Sequence, residues 1–150
     1  MARSFPETPP VTVDAVVFDP EGRLLLIRRK NPPFKNRYAL PGGFVDVGET
    51  TEDTCRRELK EETGIEAGAL HLVGVYSDPA RDPRGHTVSI AYLSLIEAAE
   101  PTGGDDAGSA GWIENWRRLK LAFDHAQIVS DARRLLPGVV PTPKARAGKK

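Results

Sequence analysis

The chain has 150 residues, 39% of them apolar, which is the size of one compact domain with side chains enough for a single core. Its 21 Lys and Arg balance 21 Asp and Glu, so no net field draws it to nucleic acid or to a membrane, and any charge effect must be local. The single cysteine, Cys55, excludes an internal disulfide framework, and no long apolar run or basic-then-apolar leader is present, so a soluble, cytoplasmic protein is expected.

In chain order, "MARSFPETPP" (1–10) is rich in Pro and charge and poor in core-forming residues, and reads as a flexible N-terminal tail. The domain is expected over 11–136. "VTVDAVVF" and "RLLLIRR" are β-branched and aliphatic runs separated by "DPEG", whose Pro and Gly suit a tight turn, so they predict a hairpin. Gly48 breaks the following segment, and Thr50 with Asp53 three residues on resembles a capping box, which predicts a helix from Thr51 to Thr63 stopped by Gly64. "LHLVGVYS" and "TVSIAYLSLI" predict two further strands, "EAAEPTGGDDAGSA" a surface loop, and "GWIEN" a short strand. Asp124 stands where an N-cap would, ahead of "HAQIVSDARRLL", in which Ile128, Val129, Ala132, Leu135 and Leu136 recur at helical spacing. The pattern is α/β, a mixed sheet with helices packed on it. The end, "PGVVPTPKARAGKK" (137–150), reads as a flexible basic tail.

The first helix carries "RRELKEETG", which places Glu58, Glu61 and Glu62 within five residues. At about 100° per residue, Glu58 and Glu62 share one face and Glu61 lies a little to one side. Cys55 and Leu59, the apolar positions of the same helix, sit next to Glu62, so the acids border its buried side. Like charges so placed repel, and carboxylates near a low-dielectric wall lose hydration. Either a solvated face laced with Lys60, Arg56 and Arg57 ion pairs or a hard divalent cation relieves that repulsion, and the spacing by itself does not choose.

The surrounding residues do. Gly43 to Ile65 read "GFVDVGETTEDTCRRELKEETGI", which resembles the Nudix box of the Nudix hydrolases: a Gly, five residues, a Glu, seven residues, then Arg-Glu-aliphatic-any-Glu-Glu-any-Gly-aliphatic. Gly43, Glu49, Arg57, Glu58, Leu59, Glu61, Glu62, Gly64 and Ile65 fill every defined position, a far more specific match than a lone short motif. The resemblance implies a Nudix fold, a mixed β-sheet sandwiched between α-helices, and hydrolysis of the pyrophosphate bond of a nucleoside diphosphate derivative with Mg²⁺, for which Mn²⁺ can substitute. It implies that Glu58, Glu61 and Glu62 bind metal, that the carbonyl of Gly42 adds an oxygen, and that Glu49 and Arg57 orient the helix against its loop. Family members draw the general base from a loop beyond the box or from a box glutamate, so Asp106, with Asp105 beside it, and Glu58 are the candidates here.

"VYSDPARDPRGHTVSIAY" and "RKNPPFKNRYALPGGFVD" look like the matching segments of small prokaryotic ADP-ribose pyrophosphatases, and the likeness runs from Val13 to Leu136. It implies ADP-ribose, cleaved to AMP and ribose 5-phosphate, with Arg81, Arg84 and His86 as phosphate-binding candidates and Phe34 and Tyr38 as candidates for stacking on adenine. A homodimer is expected because similar enzymes pair. The alternatives are a pyrophosphatase acting on a nucleoside triphosphate, an oxidised one included, and a ligand-sensing regulatory Nudix domain. The last is disfavoured because the box is intact and only a short tail follows Leu136.

Overall fold

The computed structural model describes residues 5–97, 99–101 and 109–143. Strands β1 (Val11–Phe18), β2 (Leu24–Arg28), β3 (Tyr38–Ala39) and β4 (Gly42–Phe44) precede helix α1 (Thr51–Thr63). After it come β5 (His71–Tyr76), β6 (Val88–Leu95), β7 (Ser109–Ile113) and helix α2 (His125–Arg133). One mixed sheet runs β3-β2-β1-β6-β5, with β4 paired to β1 and β7 to β2.

The strand alternation of β1 sorts its side chains between the two helices. Val13, Ala15 and Val17 pack with Cys55, Leu59 and Ile65 under α1. Val16 and Phe18 pack with Leu24, Leu26, Ile128, Val129 and Ala132 under α2. The sheet is therefore covered on both faces, and burying each such aliphatic side chain contributes about 1.5–3 kcal/mol.

The expected hairpin is in fact mostly a turn. Asp19 holds it by accepting the N–H groups of Glu21 (3.0 Å) and Arg23 (2.8 Å). Beyond it β1 and β2 are in antiparallel register only at Phe18 and Leu24. They diverge because β1 pairs in parallel with β6 along its whole length and takes β4 on its other side, from Thr12–Phe44 to Asp14–Gly42. Strands β3 and β4 are additions to the sequence reading, too short to show a period. The wedge opened between β1 and β2 is where the cleft lies.

Helix α1 has the bounds expected of it. Thr50 caps it by accepting the Asp53 N–H at 3.0 Å, and Gly64, at φ 73°, ends it with its N–H on the Lys60 carbonyl. Asp124 stands at the N-cap of α2 but makes no capping bond with its side chain, which is committed to Arg81. Past Leu136, Thr142 donates its N–H to the Leu95 carbonyl and accepts that of Glu97 through its own carbonyl, so the chain to 143 lies against the end of β6.

Candidate active site

A cleft of about 660 Å³ opens where β4, the second half of α1 and the 78–87 loop meet the end of β2 and the entry to α2. Gly42, Gly43, Glu58 and Glu62 form one wall and Arg29, Arg84 and Phe123 another, with Asp14, Arg81 and His125 between them.

On the acid wall, Arg57 is the hub. Its Nε and Nη2 grip the two Glu49 oxygens at 2.7 and 3.0 Å, its Nη1 reaches Glu58 at 2.9 Å and Glu61 at 3.3 Å, and its Nη2 also donates to the Phe44 carbonyl at 3.1 Å. Charge-assisted bonds of this fork type resist protonation of the acceptor. The Arg57 bonds, with Thr54 and the Asp46 N–H helping, hold the Glu49 carboxyl down at about 2. Glu58 and Glu62 are pushed the other way. Burial raises Glu58 against the pull of Arg57. Burial pushes Glu62 up to about 8 despite its bond from the Gly42 N–H (2.8 Å), with the charges of Glu58, Asp14 and Glu61 adding to the rise. The glycines are required by space: a Cβ on Gly43 would strike the Glu58 carboxyl, and one on Gly42 the Val13 carbonyl.

Such desolvated hard-oxygen donors, held above their ordinary pKa range by burial and mutual repulsion, fit a divalent cation. Among the described residues no three acids already converge as a cage, because Glu58 and Glu61 lean on Arg57 and Glu62 on Gly42.

The floor is a buried polar network that the sequence reading missed. Asp14 interrupts the apolar run of β1 and is 7% exposed. It accepts from Ser89 Oγ at 2.6 Å and lies 3.2 Å from His125 Nε2. His125 Nδ1 accepts the Leu40 N–H at 3.0 Å, so Nε2 carries the proton and donates it to Asp14. Burial alone would raise the Asp14 carboxyl, but His125, Ser89 and Arg81 together hold it below its ordinary value. A polar residue inside a β-branched run was the available signal; its partners stand too far away in sequence to be found.

The substrate candidates separate. Arg81, 5% exposed, spends its fork on Asp124 (2.7 and 2.9 Å) and donates Nη1 to Thr87. Arg84 lies at the cleft, gripping Asp82 through Nε and Nη2. His86 bonds the Ser77 carbonyl outside the cleft lining. Phe34 packs edge-on against Phe123, with ring centroids 4.9 Å apart, while Tyr38 points away into the core under α2. Asp105 and Asp106 lie outside the described residues.

The NUDIX domain family matches residues 8–139, and the chain belongs to the Nudix family. It is 48% identical over 123 residues to the ADP-ribose pyrophosphatase of Methanocaldococcus jannaschii, covering 82% of this chain and 72% of that protein. It is 37% identical over 133 residues to the ADPR responsive transcriptional repressor NtrR of Acinetobacter baylyi, covering 83% of this chain and 53% of the repressor. Its fold matches the NUDIX domain of Shewanella oneidensis NrtR, crystallised with ADP ribose, with a TM-score of 0.81 at 30% identity over 87% of this chain and 90% of that one.

Proposed function

We propose that this Nudix hydrolase cleaves the pyrophosphate bond of ADP-ribose to AMP and ribose 5-phosphate. The observation that carries the reading is the acid wall: Glu58 and Glu62 are held desolvated against Gly42 and Gly43 in a cleft of nucleotide size. Burying carboxylates this way costs stability, which a site that must hold a cation explains and a solvated helix face does not. The likeness to the Methanocaldococcus jannaschii pyrophosphatase and to a domain crystallised with ADP ribose supports the choice of substrate.

Glu58, Glu61 and Glu62, with the Gly42 carbonyl, are the groups to hold divalent metal, Mg²⁺ by preference with Mn²⁺ as substitute. When bound, such ions neutralise the diphosphate and lower the pKa of an attacking water. Glu49 and Arg57 clamp the loop to α1, so that the acids stay aimed at the cleft. The absence of side chains at Gly42 and Gly43 lets β4 pack close against Val13 and the Glu58 carboxyl, which keeps that acid at the cleft wall. The general base is Asp106 or Glu58, and Asp106→Asn beside Glu58→Gln separates them: whichever takes the proton loses roughly a hundredfold in kcat with little change in KM.

A homodimer is proposed on the family likeness, and sedimentation velocity tests it. Among the described residues no helix is long and apolar enough to cross a membrane, which is compatible with the proposed cytoplasmic location. Product analysis on a substrate panel tests the activity. AMP plus ribose 5-phosphate from ADP-ribose is expected; a preference for a triphosphate with release of pyrophosphate would replace the assignment.

A further inference from the structure

The chain changes partners between β3 and β4. Strand β3 pairs with β2 at Ile27–Ala39, and β4 pairs with β1 from Asp14–Gly42 onward, so Leu40 and Pro41 carry the chain across the wedge between β1 and β2. Leu40 is 2% exposed, and a crossing buried this deeply must still bond its backbone. Pro41 has no N–H and gives its carbonyl to the Ala15 N–H at 2.8 Å. The one backbone donor of the crossing is therefore the Leu40 N–H, and it goes to a side chain 85 positions away, His125 Nδ1, at 3.0 Å.

The histidine is itself firmly held. Phe123, at φ 53°, bends the chain just ahead of α2, and Ala122 donates its N–H to the Tyr38 carbonyl at 2.9 Å, so this turn lies along the same crossing. His125 Nε2 lies 3.2 Å from Asp14 Oδ1, while Asp14 Oδ2 accepts from Ser89 Oγ at 2.6 Å. Asp14 is also the residue opposite Gly42 in the β1–β4 ladder. The contacts thus close a ring, from Asp14 to His125, to Leu40, along the chain to Gly42, and back to Asp14. Gly42 in turn donates its N–H to Glu62 Oε1 at 2.8 Å. Any acceptor would satisfy the Leu40 N–H; an imidazole gripped by Asp14 fixes where that N–H stands.

We propose that His125 is a positioning residue: gripped by Asp14, it pins Leu40 and so keeps Gly42 against Glu62, where the glycine carbonyl and the carboxylate together serve a divalent cation. It touches no reacting atom and acts through the backbone. This role deepens the reading of the acid wall as a metal site and rests on that reading for the ligand. A carbonyl turns only with its own peptide plane, so an anchor two residues upstream, in a segment with no other backbone donor, sets its direction. Partners one bond removed from a metal ligand typically change metal affinity by roughly ten- to a hundredfold.

Two substitutions divide the bonds of the ring. His125→Asn places Oδ1 where Nδ1 stands and keeps an acceptor for Leu40 while losing Asp14; His125→Gln reaches toward Asp14 and loses that acceptor. A role in stability alone penalises the two losses alike, whereas the pin requires a difference. The full chain is followed without substrate, by amide exchange of Leu40 and Gly42 in NMR, by Mn²⁺ binding in electron paramagnetic resonance and by thermal melts. In His125→Gln both amides should exchange about tenfold faster and Mn²⁺ should bind about tenfold more weakly, while His125→Asn stays within about threefold of the unaltered chain in both, at a melting temperature similar to that of the glutamine variant. His125→Met, which fills the space and offers Leu40 no nitrogen or oxygen acceptor, stands in for the glutamine variant should that one not fold. Equal Mn²⁺ affinity in the two variants, or Gly42 exchange unmoved by loss of the acceptor, overturns the pin. If the unaltered chain binds no Mn²⁺, the metal reading of the acids falls, and the amide contrast alone upholds or overturns the pin.

Discussion

Arg57 and Arg81 are both multi-bonded arginines, yet they do opposite work. Arg57 stands on the open side of α1, 28% exposed, and gathers acids from its own helix and from the loop just before it. The Arg81 side chain is 5% exposed; it ties the 78–87 loop to Asp124 at the start of α2 and bonds Thr87 at the far end of the same loop, with Asp14 of β1 3.6 Å away. The first arrangement aims functional groups inside one segment of chain. The second sews together segments that lie far apart in the sequence. An arginine in a cleft is thus not a ligand by default; what its fork already holds decides.

Withdrawing the cation gives the largest effect on this contrast. Excess chelator should abolish turnover while circular dichroism and the melting curve stay nearly unchanged, and added Mg²⁺ or Mn²⁺ should restore it. Turnover persisting in chelator would return the acids of α1 to a solvated face. Next comes Arg81→Gln, which leaves Asp124 and Asp14 short of their cation in a buried setting; urea denaturation should show a loss of about 3 kcal/mol. A stable variant with only a raised KM would move Arg81 to the substrate side and erase the distinction.

Glu62→Gln nearly preserves shape while removing the charge. It should cost roughly a hundredfold in kcat, and relieving a carboxyl raised to about 8 should leave stability equal or improved. Arg57→Lys keeps a charge but loses the fork, so activity should fall about tenfold with the fold intact by circular dichroism. A collapse of the fold there would make both arginines structural.

The smallest effect is a pH dependence. Glu49 is held at about 2 against an ordinary 4.5, so its bond to Arg57 stabilises the fold fully above pH 4.5 and loses that contribution as pH falls toward 2. The stability gap between the unaltered chain and Glu49→Gln, followed by thermal melts, should therefore be constant at neutral pH and close between pH 4.5 and 2. A gap independent of pH over that window would detach Glu49 from Arg57.

What could be read in advance follows the range of the interactions. Helix α1 was legible to the residue because its cap, its stop and its apolar stripe all lie within fifteen positions. The Glu49–Arg57 pair was expected from the resemblance to the Nudix box rather than from spacing, and the two side chains do meet. Strand existence was readable from β-branched runs, but β4 was not, since three residues with two glycines carry no period. The β1–β2 hairpin was over-read: a good turn sequence sets the reversal at Asp19 to Gly22 and says nothing about β6 competing for β1.

By itself, then, the sequence determined the local pieces: a charge-balanced chain, the strands long enough to alternate, α1, and the box that places its acids on one face. Only the tertiary structure decided which arginines face the cleft, that Asp14 and His125 form its floor, and that His125 meets Leu40. The reason is that a helix cap or an i, i+4 pair is specified by neighbours a few bonds away. A contact across the cleft depends instead on how β1 chooses β6 and β4, which the whole packed sheet settles at once.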